Sequence, residues 1–272
     1  MCNLYRITTN QQAIRDFVAA THDSIGNLEP ILDAYPDRPA PVVRKTDGGL
    51  ELARLTWGMP TPVEHLKTPD APDTGVTNVR KTWIRHWQQW LGVEHRCVVP
   101  ATAFSEYGQV PDPVTKRKPL YWFALDQAQP LFFFAGIWTR WEGTRGSNRT
   151  PRPGEHELFA FLTTNANEVV KPIHPKAMPV VLTSSDEVTA WLTAALAVSS
   201  PAVLPAVFRS ARLCQTRAKI TRKITRAITR PAFLNDSWFM PAPFPQPIDD
   251  MISTSGSMTV SRIAPTINDR MI

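Results

Sequence analysis

The chain has 272 residues, 43% of them hydrophobic and 20% charged, enough for one or two domains with a full core. Its three cysteines, Cys2, Cys97 and Cys214, form no Cys-x-x-Cys pair and no Cys/His cluster at zinc-ligand spacing, which argues against a disulfide framework and a structural zinc. The net charge of +6 is not spread over the molecule: residues 1–194 hold 20 Lys+Arg against 20 Asp+Glu, residues 195–272 hold 10 against 4, and polyanion binding by the main body must come from local clusters.

In chain order, residues 2–7 alternate as a strand, and Thr9-x-x-Gln12 has capping-box spacing ahead of a helix over 10–20. Residues 41–46 and 50–57 flank Asp47-Gly48-Gly49, a hairpin signal. The stretch 60–76 reads as a loop, and Trp83, Trp87, Trp90 and Leu91 fall at helical spacing. Residues 96–100, 103–107, 120–125 and 131–138 read as strands. The basic, Gly/Pro-rich stretch 140–155 reads as a mobile loop, followed by a strand over 156–163. Asn165 is placed to cap a short helix ending before Pro172, residues 178–182 read as a strand, and Ser184-x-x-Glu187 opens a helix to about Ala194.

Many short strands with few helices predict an α+β fold around a mainly antiparallel, barrel-like sheet. No Gly-rich phosphate loop is present, and no cofactor or metal is implied. No run of about 18 apolar residues and no basic-then-apolar leader appears, so the reading is a cytoplasmic protein without a membrane segment. The expected division is a main domain over 1–194, which carries every candidate site residue, and an atypical tail over 195–272. The tail is basic at first, with a repeat from Lys219-Ile220-Thr221-Arg222 to Ala227-Ile228-Thr229-Arg230, then Pro/Ser-rich and poorly ordered.

The most informative residue is Cys2. Methionine aminopeptidase removes an initiator Met before a small residue, which leaves Cys2 with a free α-amine and thiol on adjacent carbons. Such a 1,2-aminothiol condenses with aldehydes to a five-membered thiazolidine. With an amine titrating near ~7.7–8.0 and a thiol near ~8.5, both nucleophilic forms exist at neutral pH. Polar residues in otherwise apolar settings complete the candidate set: Thr77-Asn78-Val79-Arg80, Ser105-Glu106-Tyr107, Thr163-Thr164 and His174 between two prolines. Each also has a plain structural reading. Asn78 could be a cap, Glu106 a salt-bridged carboxylate, His174 a loop histidine, Arg80 a solvated charge, and Trp57-Gly58-Met59 core packing.

Taken together, Met-Cys-Asn-Leu-Tyr at the start, Trp57-Gly58, Asn78-Val79-Arg80, Phe104-Ser105-Glu106-Tyr107, the Phe-Ala-Gly-Ile-Trp run at 134–138 and the Ile-His-Pro-Lys-Ala-Met-Pro run at 173–179 resemble the SRAP (SOS response-associated peptidase) family, whose members process abasic sites. The resemblance runs in order from Cys2 to about Leu192. It implies a monomer that binds abasic sites in single-stranded DNA and forms a thiazolidine crosslink with the ring-opened sugar. Carried over, Cys2 is the nucleophile, Glu106 the general acid/base, His174 a proton-transfer partner and Asn78 an orienting group. Arg80, Arg85 and Lys176 hold phosphates, with Thr163 and Trp57 also on the DNA side. Two departures stand out: Asn3 where many members have Gly, and a tail after Ala194 unlike the family's final stretch. A shifted reading frame from about Ser199 would produce such a tail, and resequencing the gene tests that. Two other functions remain open: a thiol peptidase using Cys2 and His174 with Glu106 or Asn78, and a non-catalytic single-stranded-DNA-binding module.

Overall fold

The computed structural model describes residues 2–66, 68 and 71–194. The expectations for the tail lie outside the described residues. The elements run β1 (Tyr5–Ile7), α1 (Gln11–Val18), β2 (His22–Asp23), β3 (Ile31–Ala34), β4 (Pro39–Thr46), β5 (Gly49–Trp57), β6 (Asn78–Val79), α2 (Arg85–Gln88), β7 (Arg96–Ala101), β8 (Ala103–Tyr107), β9 (Leu120–Phe123), β10 (Phe132–Ser147), β11 (Thr150–Thr164), β12 (Met178–Pro179), β13 (Val181–Leu182) and α3 (Ser185–Thr193).

Five strands, in the order β11-β10-β7-β4-β5, close into a barrel. The neighbours are antiparallel except at the seam, where β5 and β11 run parallel with Leu158 opposite Thr56 and Phe159 opposite Trp57. The fold is thus α+β with a largely antiparallel barrel core. Closure satisfies the strand edges that an open sheet would expose. A second sheet, ordered β3-β1-β8-β9, carries the N-terminal strand. Aromatic side chains join the two: Tyr5 packs edge-on against Trp57 at 5.1 Å and Phe134 at 5.7 Å, and Phe134 lies 4.7 Å from Phe161.

Several local signals act as read. Asp47-Gly48 turns β4 into β5, pairing Thr46 with Gly49. Ser184 and Glu187 form the reciprocal capping box of α3. Others differ. The cap of α1 is Asn10, whose side chain accepts from Ala13 N at 2.8 Å, one residue later than the Thr9 spacing suggested. The Trp83–Leu91 periodicity yields only the single turn of α2, and Asn165 starts no helix.

The largest difference is the stretch 140–155. It is a paired hairpin, in which β10 and β11 stay in register out to Ser147 and Thr150. Three of its four arginines meet carboxylates from elsewhere in the chain. Fully buried Arg145 lies 3.1 Å from Asp37 and 3.7 Å from Asp73, Arg152 lies 2.7 Å from Asp37, and Arg140 lies 3.1 Å from Glu157. The Arg145 guanidinium lies against Gly58 and Gly75, at φ +141° and +80°, where an added Cβ would sit 2.8 and 2.5 Å from its nitrogens. Only glycine tolerates both the backbone and the approach.

Candidate functional site

The pairing of β1 with β8 builds the first half of the site. Tyr5 opposes Phe104. Ser105 then donates twice to the Leu4 carbonyl, from its backbone N at 3.0 Å and its hydroxyl at 3.1 Å. This fixes the Cys2–Leu4 segment beside Glu106, and strand alternation turns Glu106 inward (3% exposed) and Tyr107 outward (59%).

The second half comes from β6, a two-residue strand laid parallel to β11 with Asn78 opposite Phe161. Trp57 holds it from beneath by donating its indole N–H to the Thr77 carbonyl at 3.0 Å. Asn78 Nδ2 donates to the Cys2 carbonyl at 2.8 Å and to Asn3 Oδ1 at 3.3 Å, and the Thr77 hydroxyl donates to Asn3 Oδ1 at 3.1 Å. Asn3 is therefore part of the site, although the family motif marks it only as a departure. The Asn78 Oδ1 and Thr163 hydroxyl oxygens, both buried, have no hydrogen-bond partner among the described residues.

The loop after β11 supplies His174, whose Nδ1 stands 3.5 Å from Glu106 Oε2. At that distance the pair is an ion pair only if the imidazole is protonated, and burial works against it. Burial pushes the Glu106 carboxyl above the usual carboxylate range. Burial, with the Lys176 charge adding to it, holds the His174 imidazole below its ordinary value. Both shifts act against a charged pair, and at 3.5 Å the two groups are close enough to exchange a proton. The fully buried Cys2 thiol is pushed up to about 12, first by burial and then by the Glu106 charge, which corrects the neutral-pH thiolate expected from the free value, and Sγ donates a weak 3.5 Å bond to the Leu4 carbonyl.

Cys2, Asn78, Glu106 and His174 are thus set around one another by the β1–β8, β6–β11 and 174-loop placements, while Thr163 lies on β11 opposite Pro179 of β12. The cationic candidates lie outside this buried group. Lys176 and Arg85 are exposed. Arg80 is half-tied, donating from Nη1 to the Thr164 carbonyl and from Nη2 to Asn165 Oδ1 at 2.5 Å, so it braces the end of β11. Trp57 is corrected: it is fully buried against Phe159 and Phe161 and presents no face to a base. The core-packing alternative is the one realised.

Residues 1–223 match the family model of the SOS response associated peptidase, SRAP. The chain belongs to the SRAP family. The match extends past Leu192, where the motif resemblance ended. Solved structures with the SRAP-like fold include a protein from Bordetella bronchiseptica (23% identity, 71% of this chain and 89% of that one, TM-score 0.51). Another is a protein from Bacteroides thetaiotaomicron (20% identity, 76% and 86%, TM-score 0.53). A phage-related protein from Bordetella bronchiseptica is similar at 19% identity (77% and 88%, TM-score 0.51). At such identities these likenesses speak for the fold alone. No curated protein matches the chain. No helix among the described residues is long and apolar enough to cross a membrane.

Proposed function

We propose that this SRAP chain acts in the DNA-damage response in the cytoplasm, as a monomer, by capturing abasic sites in single-stranded DNA as a covalent adduct of Cys2. The observation that carries the reading is the anchoring of Cys2. Its carbonyl is held by Asn78 at 2.8 Å, and a buried carboxyl and imidazole stand together beside it.

The chemistry needs those groups. An abasic sugar is mainly a closed hemiacetal, and opening it moves a proton from the anomeric hydroxyl to the ring oxygen, a task for Glu106 with His174. Once Met1 is removed, the Cys2 amine attacks the aldehyde carbon. The resulting carbinolamine loses water to an imine, with a proton supplied to the departing oxygen. The thiol sulfur then adds to the imine carbon and its proton passes to nitrogen, closing the thiazolidine. The balance is aldehyde plus aminothiol giving thiazolidine plus one water. Holding Cys2 through its own carbonyl fixes amine and thiol on one side of the incoming carbon, which is how positioning lowers such barriers. Arg80, Arg85 and Lys176 take backbone phosphates at the rim.

A thiol-peptidase reading is less well supported. A peptidase cysteine needs an imidazole as its own base, whereas His174 Nδ1 faces Glu106 Oε2 at 3.5 Å. Intact-mass measurement of the protein after incubation with abasic single-stranded DNA, intact DNA and a generic peptide tests the proposal. The expected product appears only with abasic DNA. Its mass is the protein without Met1, plus the oligonucleotide, less one water. An adduct on protein that still carries Met1 rules the thiazolidine out.

A further inference from the structure

The hairpin joining β8 to β9 carries a feature that the Cys2 chemistry does not use. Residues 108–118 form a compact, internally bonded turn. Gly108 N donates to the Pro119 carbonyl at 2.8 Å, Asp112 N to the Arg117 carbonyl at 2.9 Å, and Lys116 N to the Asp112 carbonyl at 2.9 Å. The Asp112 carboxylate is spent inside it, accepting from Thr115 N at 2.7 Å, Val114 N at 3.0 Å and the Thr115 hydroxyl at 3.1 Å. Lys116, Arg117 and Lys118 follow in succession, all exposed. None of the three basic side chains forms an ion pair with a described residue. Val110 and Val114, 76% and 85% exposed, mark a turn that stands clear of the body.

Two connections tie this cationic tip to the site. The strand that leads into it, β8, carries Glu106, and Gln109 at its base donates to the Ile173 carbonyl at 3.4 Å, next to His174. Since residues 1–194 are charge-balanced, three consecutive unpaired cations on an ordered turn are a local excess with no counterpart in the global charge.

We propose that Lys116, Arg117 and Lys118 form a second nucleic-acid contact, taking backbone phosphates of the DNA that flanks the captured sugar. The proposal rests on the reading of the site as one that takes abasic DNA, and it deepens that reading by extending the bound length. Six residues, 107–112, lead from Glu106 to the tip, and at roughly 3.3 Å each they span at most about 20 Å. An unpaired strand spaces its phosphates no closer than the roughly 3.4 Å of a duplex strand, so about six nucleotides is the upper bound of that reach. The contact is to phosphate only, so it is indifferent to base sequence.

The test uses the full chain with Lys116→Gln, Arg117→Gln and Lys118→Gln combined. A second variant, Arg117→Gln with Lys118→Gln, leaves Lys116 and the turn it closes unaltered. Affinity for intact single-stranded oligonucleotides is measured against salt, and crosslinking of abasic oligonucleotides is measured at saturation. On long oligonucleotides the triple variant should lower the slope of log K against log salt by about 2, at roughly 0.7 for each phosphate no longer neutralised, and the double variant by proportionately less. The saturated crosslinking rate should not change. On abasic oligonucleotides with no nucleotide beyond the captured sugar on either side, wild type and variants should bind alike. An unchanged slope on long oligonucleotides, or an equal loss on short ones, overturns the proposal. If wild-type protein forms no adduct with abasic DNA, the functional reading fails instead, and the slope on intact DNA still decides the tip.

Discussion

Glu106→Gln separates the chemical from the structural role of the buried carboxyl. The amide keeps shape and hydrogen-bonding capacity but cannot shuttle a proton. A positioned general acid/base is typically worth ~10²–10⁴ in rate, or about 2.7–5.5 kcal/mol of barrier. With His174 Nδ1 only 3.5 Å from Glu106 Oε2, a second proton carrier remains in place, so the expected loss lies at the low end, about 10². Adding His174→Gln should then cost less than the product of the two single effects. Single-turnover crosslinking at saturating abasic DNA reads this without a contribution from binding. The same variant has a stability signature. Burial raises the Glu106 carboxyl in the folded state, so folding favours its protonated form. Native stability is therefore lost as pH rises from the unfolded carboxyl value of about 4.3 through the raised folded one. Glu106→Gln removes that loss: its melting temperature should match wild type near pH 4 and exceed it at pH 7. The His174 imidazole, lowered by burial, acts in the opposite sense. It destabilises the fold as pH falls from its unfolded value of about 6.5. An unchanged crosslinking rate, or a variant less stable than wild type at pH 7, would refute the assignment of Glu106 as a strained proton carrier.

Cys2→Ser should retain affinity for single-stranded DNA and lose the reductant-independent adduct, while borohydride should still trap an imine on its amine; a heat-stable crosslink without reductant would point to another nucleophile. Asn78→Ala removes the bond to the Cys2 carbonyl, at a cost of about 1–3 kcal/mol, and should slow saturated crosslinking by roughly 5–150-fold. Arg80→Lys keeps the charge but loses the two-point brace to Thr164 and Asn165, so it should slow crosslinking more than it weakens binding; equal behaviour to wild type would leave Arg80 with charge alone. Arg145→Met strands buried Asp73 without its cation and should destabilise by about 3–5 kcal/mol in urea titration, with Asp73→Asn restoring part of that loss in the double variant.

Where a signal is local, the sequence sufficed. The Asp47-Gly48 hairpin and the Ser184–Glu187 capping box work through backbone groups within four residues, so their geometry follows from residue type. The polar segments around Asn78, Glu106 and His174 could be singled out because apolar neighbours made them conspicuous, and their joint order identified the family. What the sequence could not decide were relations set by strand closure and register. The 140–155 stretch lacks apolar alternation and looks like a loop, yet Arg145 and Arg152 meet Asp37 from more than 100 positions away, and that neutralisation allows a paired hairpin. Trp57 had a core-packing reading beside the DNA-side one that the resemblance implied, and the β5–β11 seam, which stacks it on Phe159, realises the core. Asn3 read as a family exception until β6 brought Thr77 and Asn78 within hydrogen-bonding distance of it. The order of the motifs singled out the candidate groups. Their meeting depended on β1 pairing with β8 and β6 lying along β11, because contacts between residues distant in sequence are a property of the closed barrel and not of any one segment.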